Sequence, residues 1–335
     1  MTTNWSKNLV GQKTAIERIQ YQLDATEREE DVKSIFVTGR TGLGKSAMTK
    51  AIMSGFKDRN WVTYSFACPT QAVGKTYNRL IEDINTPGLK VAIHFGECHR
   101  LKGRVALKRL HNFIMLWTDK TKVGTVASIN DGEISALVDW SRLVFVLDTN
   151  FPSKLEEGKE STSFIDRFLH VKLDDYSYDH IVEILHLMLS HNKLRIHDNT
   201  IKLIADTARG AARPLENIVG ELSAMAGSLD KETLAREEVL RAMKLAKCYP
   251  IGLTAEEVIC LSNCQSPKRK NVIESLLPNL ETKAIGKSLA YLQCNNFLAQ
   301  RSSGYQTTPR GAKYLKDAAK AGFDIPSYEG EEASK

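Results

Sequence analysis

The sequence predicts an α/β fold in which a mainly parallel sheet is followed by a helical unit and a winged-helix pattern. In the first half of the chain, short apolar runs rich in β-branched residues alternate with helical patterns. This alternation is typical of parallel strands that are buried on both faces by crossover helices. After about Asp175 the strand signal ends and helices dominate, until the last part of the chain gives a helix, two short strands and another helix.

Five runs carry the strand signal of the predicted sheet. They are SIFVT at 34–38, WVTYSF at 61–66, VAIHF at 91–95, LVFVL at 143–147 and HVKL at 170–173. Before the first of them a helical pattern begins at Gln12. Between the third and fourth, partial two-residue alternation flanks Asn130, Asp131 and Gly132, a tripeptide suited to a tight turn. A β-hairpin that projects from the sheet is therefore expected there.

The second half divides where the helical pattern is interrupted by CYPIGL at 248–253. The last unit contains an apolar strand, a Ser-Ser-Gly turn, a second short strand and a helix, which is the order found in winged helices. We therefore expect four regions: an α/β domain at 1–175, a helical domain at 176–248, a winged-helix domain at 249–320 and a flexible tail at 321–335.

Composition narrows the class of protein. The chain has 335 residues, of which 42% are hydrophobic and 26% charged, as in soluble globular proteins. No apolar run is long enough for a membrane helix, and the N-terminus has no secretory pattern, so a cytoplasmic protein is expected. The six cysteines form no CxxC pair, which favours reduced, buried thiols over a metal site.

The segment GRTGLGKS satisfies the phosphate-loop pattern G-x-x-x-x-G-K-[ST] between a predicted strand and a predicted helix. Glycines let backbone amides turn toward a phosphate, while Lys45 reaches the β- and γ-oxygens and Ser46 ligates magnesium. A glycine-rich turn with a chance lysine is the alternative, but the flanking strand and helix favour ATP binding. The predicted contact residues are Gly39, Thr41, Gly42, Leu43, Gly44, Lys45, Ser46 and Ala47.

Glu97 follows the apolar run VAIHF, about fifty residues after the loop. A carboxylate at the end of such a strand suits the base that polarises the attacking water in an ATPase. Taken alone, the same segment equally suits a buried strand that leads into a helix. The phosphate loop upstream favours the catalytic interpretation.

The C-terminal end of the chain has a net positive charge. The whole chain has a formal net charge of +6, and between Ile251 and Lys320 ten Lys or Arg residues face five Asp or Glu residues. Such charge suits contacts with DNA phosphates, although a winged helix used for protein contacts with a solvated basic face is the alternative. The predicted DNA-binding residues are Lys287, Arg301, Tyr305, Arg310 and Lys313.

Several segments resemble the RuvB family of Holliday-junction branch-migration motors, which are AAA+ ATPases. GECHRL is similar to the family's DEIHRL, GLGKS to GLGKT, FIDRF to LRDRF, and GAARPLEN to the family's lid motif. The resemblance follows the same order along nearly the whole chain. It implies a P-loop AAA+ parallel sheet with a helical lid and a C-terminal winged-helix domain.

The resemblance also implies roles for residues around the nucleotide. LVGQ would place Val10, Gly11 and Gln12 over the adenine. Asn150 would be sensor 1, which orients the attacking water or the γ-phosphate. Each of these residues also has a purely structural interpretation; Asn150, for example, could simply end a strand.

Further implied roles concern the lid and a neighbouring subunit. Arg213, followed by Pro214, would be sensor 2 in the lid, and Arg167 would be the arginine finger that reaches a neighbour's γ-phosphate. A finger acting between subunits implies a homohexamer. The hairpin near Asn130 resembles the one through which RuvB docks on RuvA, so a RuvA-like partner is implied, although packing against a neighbouring subunit is an equal alternative. Arg167 pairing with a local acid and Arg213 capping a helix are the corresponding structural alternatives.

Gly96 departs from the family pattern, in which this position holds an aspartate that helps to hold magnesium. Hydrolysis is then expected to be weak unless another carboxylate, with Asp148 as the candidate, compensates. The primary hypothesis is a RuvB-like ATP-dependent DNA motor or remodeller that uses ATP and Mg²⁺ on branched or duplex DNA in recombination or replication. The alternatives are an ATP-controlled DNA-binding switch of the loader or transposition-regulator type, with slow or no hydrolysis, and an adaptor that joins another ring.

Overall fold

The computed structural model describes residues 4–28, 32–66, 75–98, 126–130, 134–137, 142–151, 168–323 and 325. The chain divides into two compact units, Met1–Tyr176 and Ser177–Lys335. The first boundary expected from the sequence, at residue 175, falls beside this division. The further division of the second unit into a lid and a winged helix stays a prediction.

A five-stranded parallel sheet forms the centre of the first unit. Its strands are β1 (Ile35–Thr38), β2 (Val62–Phe66), β3 (Val91–Phe95), β6 (Leu143–Thr149) and β7 (Leu169–Lys172). They lie in the order β2-β3-β6-β1-β7, and every pairing is parallel. The five predicted strand runs are thus confirmed, and the α/β class with them.

The sheet is held by apolar side chains that lie across neighbouring strands. Every residue of β1, β3 and β6 is buried, as expected for strands with both faces covered. Phe95 stacks on Phe66 with 5.3 Å between ring centroids and on Phe145 at 6.5 Å. This packing fixes the relative register of β2, β3 and β6.

Three helices and a hairpin complete the described part of the first unit. The helices are α1 (Lys13–Glu27), α2 (Lys45–Lys57) and α3 (Lys75–Asn85), preceded by a 3₁₀ turn at Asn4–Ser6. Strands β4 (Val126–Asn130) and β5 (Ile134–Leu137) pair antiparallel between β3 and β6 in the chain, so the predicted hairpin is confirmed. Asp131 and Gly132 of its turn lie outside the described residues.

The second unit begins with four helices, in the region where the sequence predicts that helices dominate. They are α4 (Tyr178–His191), α5 (Asp198–Ala205), α6 (Arg213–Leu229) and α7 (Arg236–Leu245). Two short strands pair in parallel: β8 (Arg195–Ile196), between α4 and α5, and β9 (Thr233–Leu234), between α6 and α7. A 3₁₀ turn at Pro250–Gly252 interrupts the helices where the sequence predicted a break.

The C-terminal part of this unit contains the predicted helix–strand–turn–strand–helix order. Its elements are α8 (Ala255–Asn263), α9 (Lys270–Leu276), α10 (Thr282–Cys294), β10 (Leu298–Arg301), β11 (Gly304–Thr307) and α11 (Pro309–Lys320). Strands β10 and β11 form a tight hairpin. Lys268 forms an isolated antiparallel β-bridge with Tyr305 of β11. Gly304 has φ +119°, and a Cβ there would lie 2.3 Å from the Lys268 carbonyl, so this turn needs glycine.

The expectation of buried cysteines is only partly correct. Cys98, Cys260 and Cys264 are buried and Cys248 is half-buried, but Cys294 is exposed because it ends α10 on its solvent side; Cys68 lies outside the described residues. Within the described part of the chain, no helix combines the length and apolar character that a membrane span requires.

Candidate functional site

The phosphate-loop residues occupy the turn between the end of β1 and the start of α2. Gly42 and Gly44 have φ values of +86° and +81°, which favour glycine because they lie in the left-handed region. Helix α2 begins directly afterwards, with the Met48 amide donating to the Gly44 carbonyl at 2.8 Å. A glycine-bearing turn at a helix N-terminus is the arrangement that binds phosphate through backbone amides.

Lys45 lies almost entirely inside this loop, at 7% exposure. Its ammonium Nζ donates to the carbonyls of Gly39 at 2.8 Å and Arg40 at 2.9 Å. The positive charge is thus held above the turn by the loop itself. Of the other predicted contact residues, Leu43 is buried, Gly39 is half-buried, and the side chains of Thr41, Ser46 and Ala47 are exposed.

The segment 174–176, at the end of the first unit, contacts the loop from outside. The Tyr176 hydroxyl donates to the Leu43 carbonyl at 3.0 Å, and Arg40 Nε lies 2.6 Å from Asp175 Oδ1. No local sequence pattern predicts these contacts, because the two segments are more than 130 residues apart.

The predicted adenine box lies at the start of α1. Val10 is buried, and Gly11 and Gln12 have φ values of +64° and +55°. The Gln12 side chain pairs with the Asp174 backbone in both directions, donating to its carbonyl at 2.7 Å and accepting from its amide at 3.0 Å. The box is therefore fixed to the chain that follows β7.

Glu97 and Asn150 meet at the carboxyl edge of the sheet. Glu97 follows β3 in a turn with φ +53°, and Asn150 directly follows β6. Because β3 and β6 are neighbours in parallel register, the two side chains come together, and Asn150 Nδ2 donates to Glu97 Oε1 at 3.2 Å. Asn150 Oδ1 is buried and accepts no hydrogen bond among the described residues.

The phosphate loop leaves the same edge. Thr38, the last residue of β1, is the register partner of Thr149, which precedes Asn150. Loop, predicted base and predicted sensor therefore emerge from the carboxyl ends of three adjacent strands, the place where open α/β sheets bind ligands.

A chain of polar side chains crosses the sheet beneath Glu97. Ser65 Oγ lies 2.8 Å from His94 Nδ1, and His94 Nε2 lies 2.9 Å from Asp148 Oδ2. The other oxygen of Asp148 accepts from the Glu97 amide at 3.3 Å. Sequence reasoning found Asp148 but missed His94 and Ser65; the one available signal was a histidine inside an otherwise apolar strand.

The Cys98 thiol, next to Glu97 and near Asp148, has a perturbed pKa. Burial raises the pKa of its thiol well above the ordinary value, and the nearby carboxylates of Asp148 and Glu97 raise it further. The thiol is therefore neutral at physiological pH.

The remaining residues predicted to contact the nucleotide belong to the second unit or lie outside the described residues. Arg213 and Pro214 begin helix α6 of the second unit, where Arg213 is exposed. Arg167 lies outside the described residues, as do the His99, Arg100 and Leu101 of the GECHRL motif.

The predicted DNA-binding residues all belong to the C-terminal elements. Lys287 lies on α10, Arg301 ends β10, and Arg310 and Lys313 lie on α11; all four are exposed, while Tyr305 on β11 is half-buried. The Arg310 guanidinium lies over the Phe297 ring at 4.7 Å, which restricts where its charge is presented.

The fold is that of solved AAA+ structures. The Thermotoga maritima RuvB Holliday junction branch migration motor is 20% identical, with a TM-score of 0.58 over 95% of this chain and 97% of that one. The Aeropyrum pernix ORC2 protein, solved in ADPNP–ADP complexes, is 13% identical, with a TM-score of 0.53 over 92% and 93%. No family model and no curated protein sequence matches the chain. At these identities the likeness establishes the P-loop AAA+ fold.

Proposed function

We propose that this protein is a RuvB-like ATP-dependent DNA motor or remodeller that acts on branched or duplex DNA in recombination or replication. One observation carries the proposal. The phosphate loop with its inward-turned Lys45, and the hydrogen-bonded pair of Glu97 and Asn150, leave the sheet at the same edge. This combination supplies both a phosphate-binding site and a carboxylate for activating water.

ATP supplies the phosphoryl group, and the chain's residues bind and orient it. The backbone amides of the loop bind the β-phosphate, and Lys45 exchanges its two carbonyl acceptors for phosphate oxygens. Glu97 accepts a proton from the attacking water, while Asn150 holds one carboxylate oxygen in a fixed direction.

Magnesium fits this site with fewer protein ligands than usual. The Ser46 hydroxyl is exposed at the start of α2, where it can ligate a metal bound to the phosphates. Gly96 contributes no side chain, so the remaining positions fall to phosphate and water, as Mg²⁺ tolerates. We expect slower hydrolysis rather than loss of ATP binding.

The remaining roles follow from the resemblance to RuvB. Arg167 would act as an arginine finger in a homohexamer, and Arg213 with Pro214 would report nucleotide state to the lid. The box formed by Val10, Gly11 and Gln12 would cover the adenine. The hairpin near Asn130 would receive a RuvA-like partner, and the protein would work in the cytoplasm.

DNA would bind the C-terminal elements through Lys287, Arg301, Tyr305, Arg310 and Lys313. Four of these are exposed on α10, α11 and the β10–β11 hairpin, in a part of the chain where Lys and Arg outnumber Asp and Glu by ten to five. Phosphate contacts of this kind give affinity with little sequence preference.

The ATPase proposal is tested by measuring ATP turnover with and without duplex and four-way DNA. DNA-stimulated turnover is expected, with Lys45→Ala abolishing ATP binding and Glu97→Gln abolishing turnover while keeping binding. Lys50→Ala is a matched control, because Lys50 is exposed on the same helix. Turnover that survives Glu97→Gln would reject Glu97 as the base.

The DNA proposal is tested by the salt dependence of binding. Arg301→Ala and Lys313→Ala should each weaken DNA binding and reduce the salt slope by about one. Arg241→Ala, an exposed arginine on α7, is the control and should leave both unchanged. Equal effects from Arg241 would place the DNA elsewhere.

An ATP-controlled DNA-binding switch of the loader or transposition-regulator type is the second candidate, and Gly96 favours it. Such a switch would bind DNA tightly with ATP and show negligible turnover. Gly96→Asp distinguishes the two, because a sharp rise in turnover would indicate a natural protein adapted to slow hydrolysis, whereas an unchanged rate indicates a motor that does not need the aspartate.

A further inference from the structure

We propose that His94 is a positioning residue for ATP hydrolysis, which through Asp148 anchors the backbone of Glu97; this inference rests on the proposed function. It requires three links: a continuous chain of polar contacts, a reason for Glu97 to need an anchor, and a reason to assign anchoring rather than metal binding to Asp148.

The chain of contacts runs over one face of three neighbouring strands. Ser65 and His94 are register partners on β2 and β3, and His94 is the partner of Val146 on β6. Asp148 lies two residues beyond Val146 and so on the same face, because side chains alternate along a strand. The distances of 2.8 Å and 2.9 Å join the three side chains into one hydrogen-bonded series.

The two inner members of this series are buried. His94 and Asp148 are 7% and 6% exposed, in a sheet whose other interior residues are mainly apolar. A buried carboxylate without a partner is strongly unfavourable, so His94 is needed to keep Asp148 in place and in one orientation. Both ring nitrogens of His94 have partners, Ser65 at Nδ1 and Asp148 at Nε2.

Glu97 needs an external anchor because of its backbone. It has φ +53°, an uncommon conformation for a residue with a side chain, and the preceding Gly96 is the residue type with the greatest conformational freedom. The Asp148 oxygen that accepts from the Glu97 amide holds this turn at 3.3 Å. The anchored turn directs the carboxylate toward Asn150, whose amide holds it at 3.2 Å.

The contacts of Asp148 favour anchoring over metal binding. Each of its oxygens already accepts a hydrogen bond from the protein, one from His94 and one from the Glu97 amide. Its neighbours in this corner are Cys98, a neutral thiol, and Glu97 itself. Asp148 therefore serves the direction of Glu97 at a site where position 96 offers no carboxylate.

The test compares His94→Phe with His94→Gln in the full-length protein. Phenylalanine keeps a ring of similar volume and removes both hydrogen bonds, whereas glutamine keeps an amide donor near the position of Nε2. His94→Phe should lower kcat by at least about tenfold with KM for ATP nearly unchanged, and His94→Gln should recover most of it. Tyr64→Phe is the matched control, because it removes a 2.6 Å hydrogen bond to Asp83 from strand β2 beside Ser65.

Amide hydrogen exchange in the absence of nucleotide gives a readout that does not depend on turnover. The segment 91–98 should exchange faster at its C-terminal end in His94→Phe and Asp148→Ala than in the wild type. Tyr64→Phe and His94→Gln should leave that exchange near the wild-type rate.

Three outcomes would overturn the inference while leaving the proposed function intact. They are wild-type kcat in His94→Phe, an equal loss in His94→Gln, and a loss in Asp148→Ala that high magnesium restores, which would make Asp148 a metal-holding residue. A wild-type protein without turnover contradicts the ATPase proposal instead, and exchange at Glu97 then decides the anchoring by itself.

Discussion

Gly44 occupies a position in the phosphate loop that a residue with a side chain would strain. Its φ of +81° is a conformation that side chains rarely adopt, and a Cβ would lie 2.5 Å from the Tyr176 hydroxyl. The same residue thus permits the phosphate-binding turn and the contact from the segment 174–176.

We predict that Gly44→Ala lowers nucleotide affinity by at least about tenfold, because the loop must shift to relieve both conflicts. Isothermal titration with ADP measures the effect. Gly220→Ala is the control, because Gly220 lies on the exposed face of α6 and no atom lies within 4 Å of a Cβ there. This substitution should raise the free energy of unfolding by up to about 1 kcal/mol. If the Gly44→Ala variant binds ADP with normal affinity, the left-handed turn at this position is not needed for nucleotide binding.

Gly96 is the sharpest departure from the resemblance to RuvB. Gly96 marks the absence of one carboxylate, which the sequence alone reveals. That Asp148 lies under Glu97, and that His94 and Ser65 hold it, follows only from the register of three strands.

The first turn of helix α8 forms a salt bridge with a residue outside the helix. Glu257 accepts from Arg209 at 3.1 Å and 2.6 Å, and from the Thr254 amide at 2.9 Å as part of a capping box. The Arg209 guanidinium also lies 3.9 Å from the centre of the Tyr291 ring. Glu257 therefore joins the start of α8 to the chain between α5 and α6.

We predict that Glu257→Ala lowers the free energy of unfolding by about 3 kcal/mol, because it removes both hydrogen bonds between this carboxylate and Arg209 and also the helix cap. Urea denaturation measures this. Glu256→Ala, in the same helical turn, should change it by no more than about 0.5 kcal/mol. If both substitutions lower the free energy of unfolding by similar amounts, the cause is the loss of negative charge at the start of the helix and not the salt bridge.

Helix α7 offers a prediction about pH. The Ala235 amide donates to the Glu238 carboxylate, which lowers the pKa of Glu238, and the charge of Lys231 at 3.5 Å lowers it further. A lowered pKa means that ionised Glu238 stabilises the fold above the ordinary glutamate pKa, and that this contribution disappears as pH falls through the folded-state pKa.

Glu238→Gln should therefore be less stable than the wild type at neutral pH, and the difference should vanish in acid. Denaturation midpoints at several pH values test this, with Glu237→Gln as the control in the same turn. A difference that persists in acid would contradict the assigned cause.

Elements were the level that the sequence predicted best. Strand β3 has the predicted bounds, and β7 differs from the predicted run by one residue at each end. The β4–β5 hairpin formed where alternation flanked Asn130. These elements are predictable because burial on both faces or on one face imposes its own pattern on neighbouring residues.

For the whole molecule, the division into two compact units predicts separable folding. The second unit has its own apolar core, whose side chains are at most 1% exposed: Leu185, Leu215, Leu222, Val258, Leu261, Ile285, Leu289 and Leu292. A unit with its own core is expected to fold alone.

We predict that the fragment Ser177–Lys335 unfolds cooperatively in urea and binds DNA with the salt dependence of the full chain, but does not bind ATP. Circular dichroism, DNA binding and nucleotide titration measure the three properties. Non-cooperative unfolding would mean that the core of the second unit depends on the first unit. A folded fragment that has lost DNA affinity would show that residues outside Ser177–Lys335 are needed for DNA binding.

Local sequence patterns are sufficient to predict the α/β class, the order of strands and helices along the chain, the phosphate-loop motif and the basic residues of the C-terminal elements. Each of these depends on neighbours in the chain, through periodicity, turn chemistry or a short motif. Three contacts follow from the three-dimensional arrangement alone: Asn150 with Glu97, Tyr176 with the phosphate loop, and the series of Ser65, His94 and Asp148. These contacts join residues between 29 and 133 positions apart, and it is the pairing and register of parallel strands, not any local pattern, that brings distant residues to one edge of a sheet.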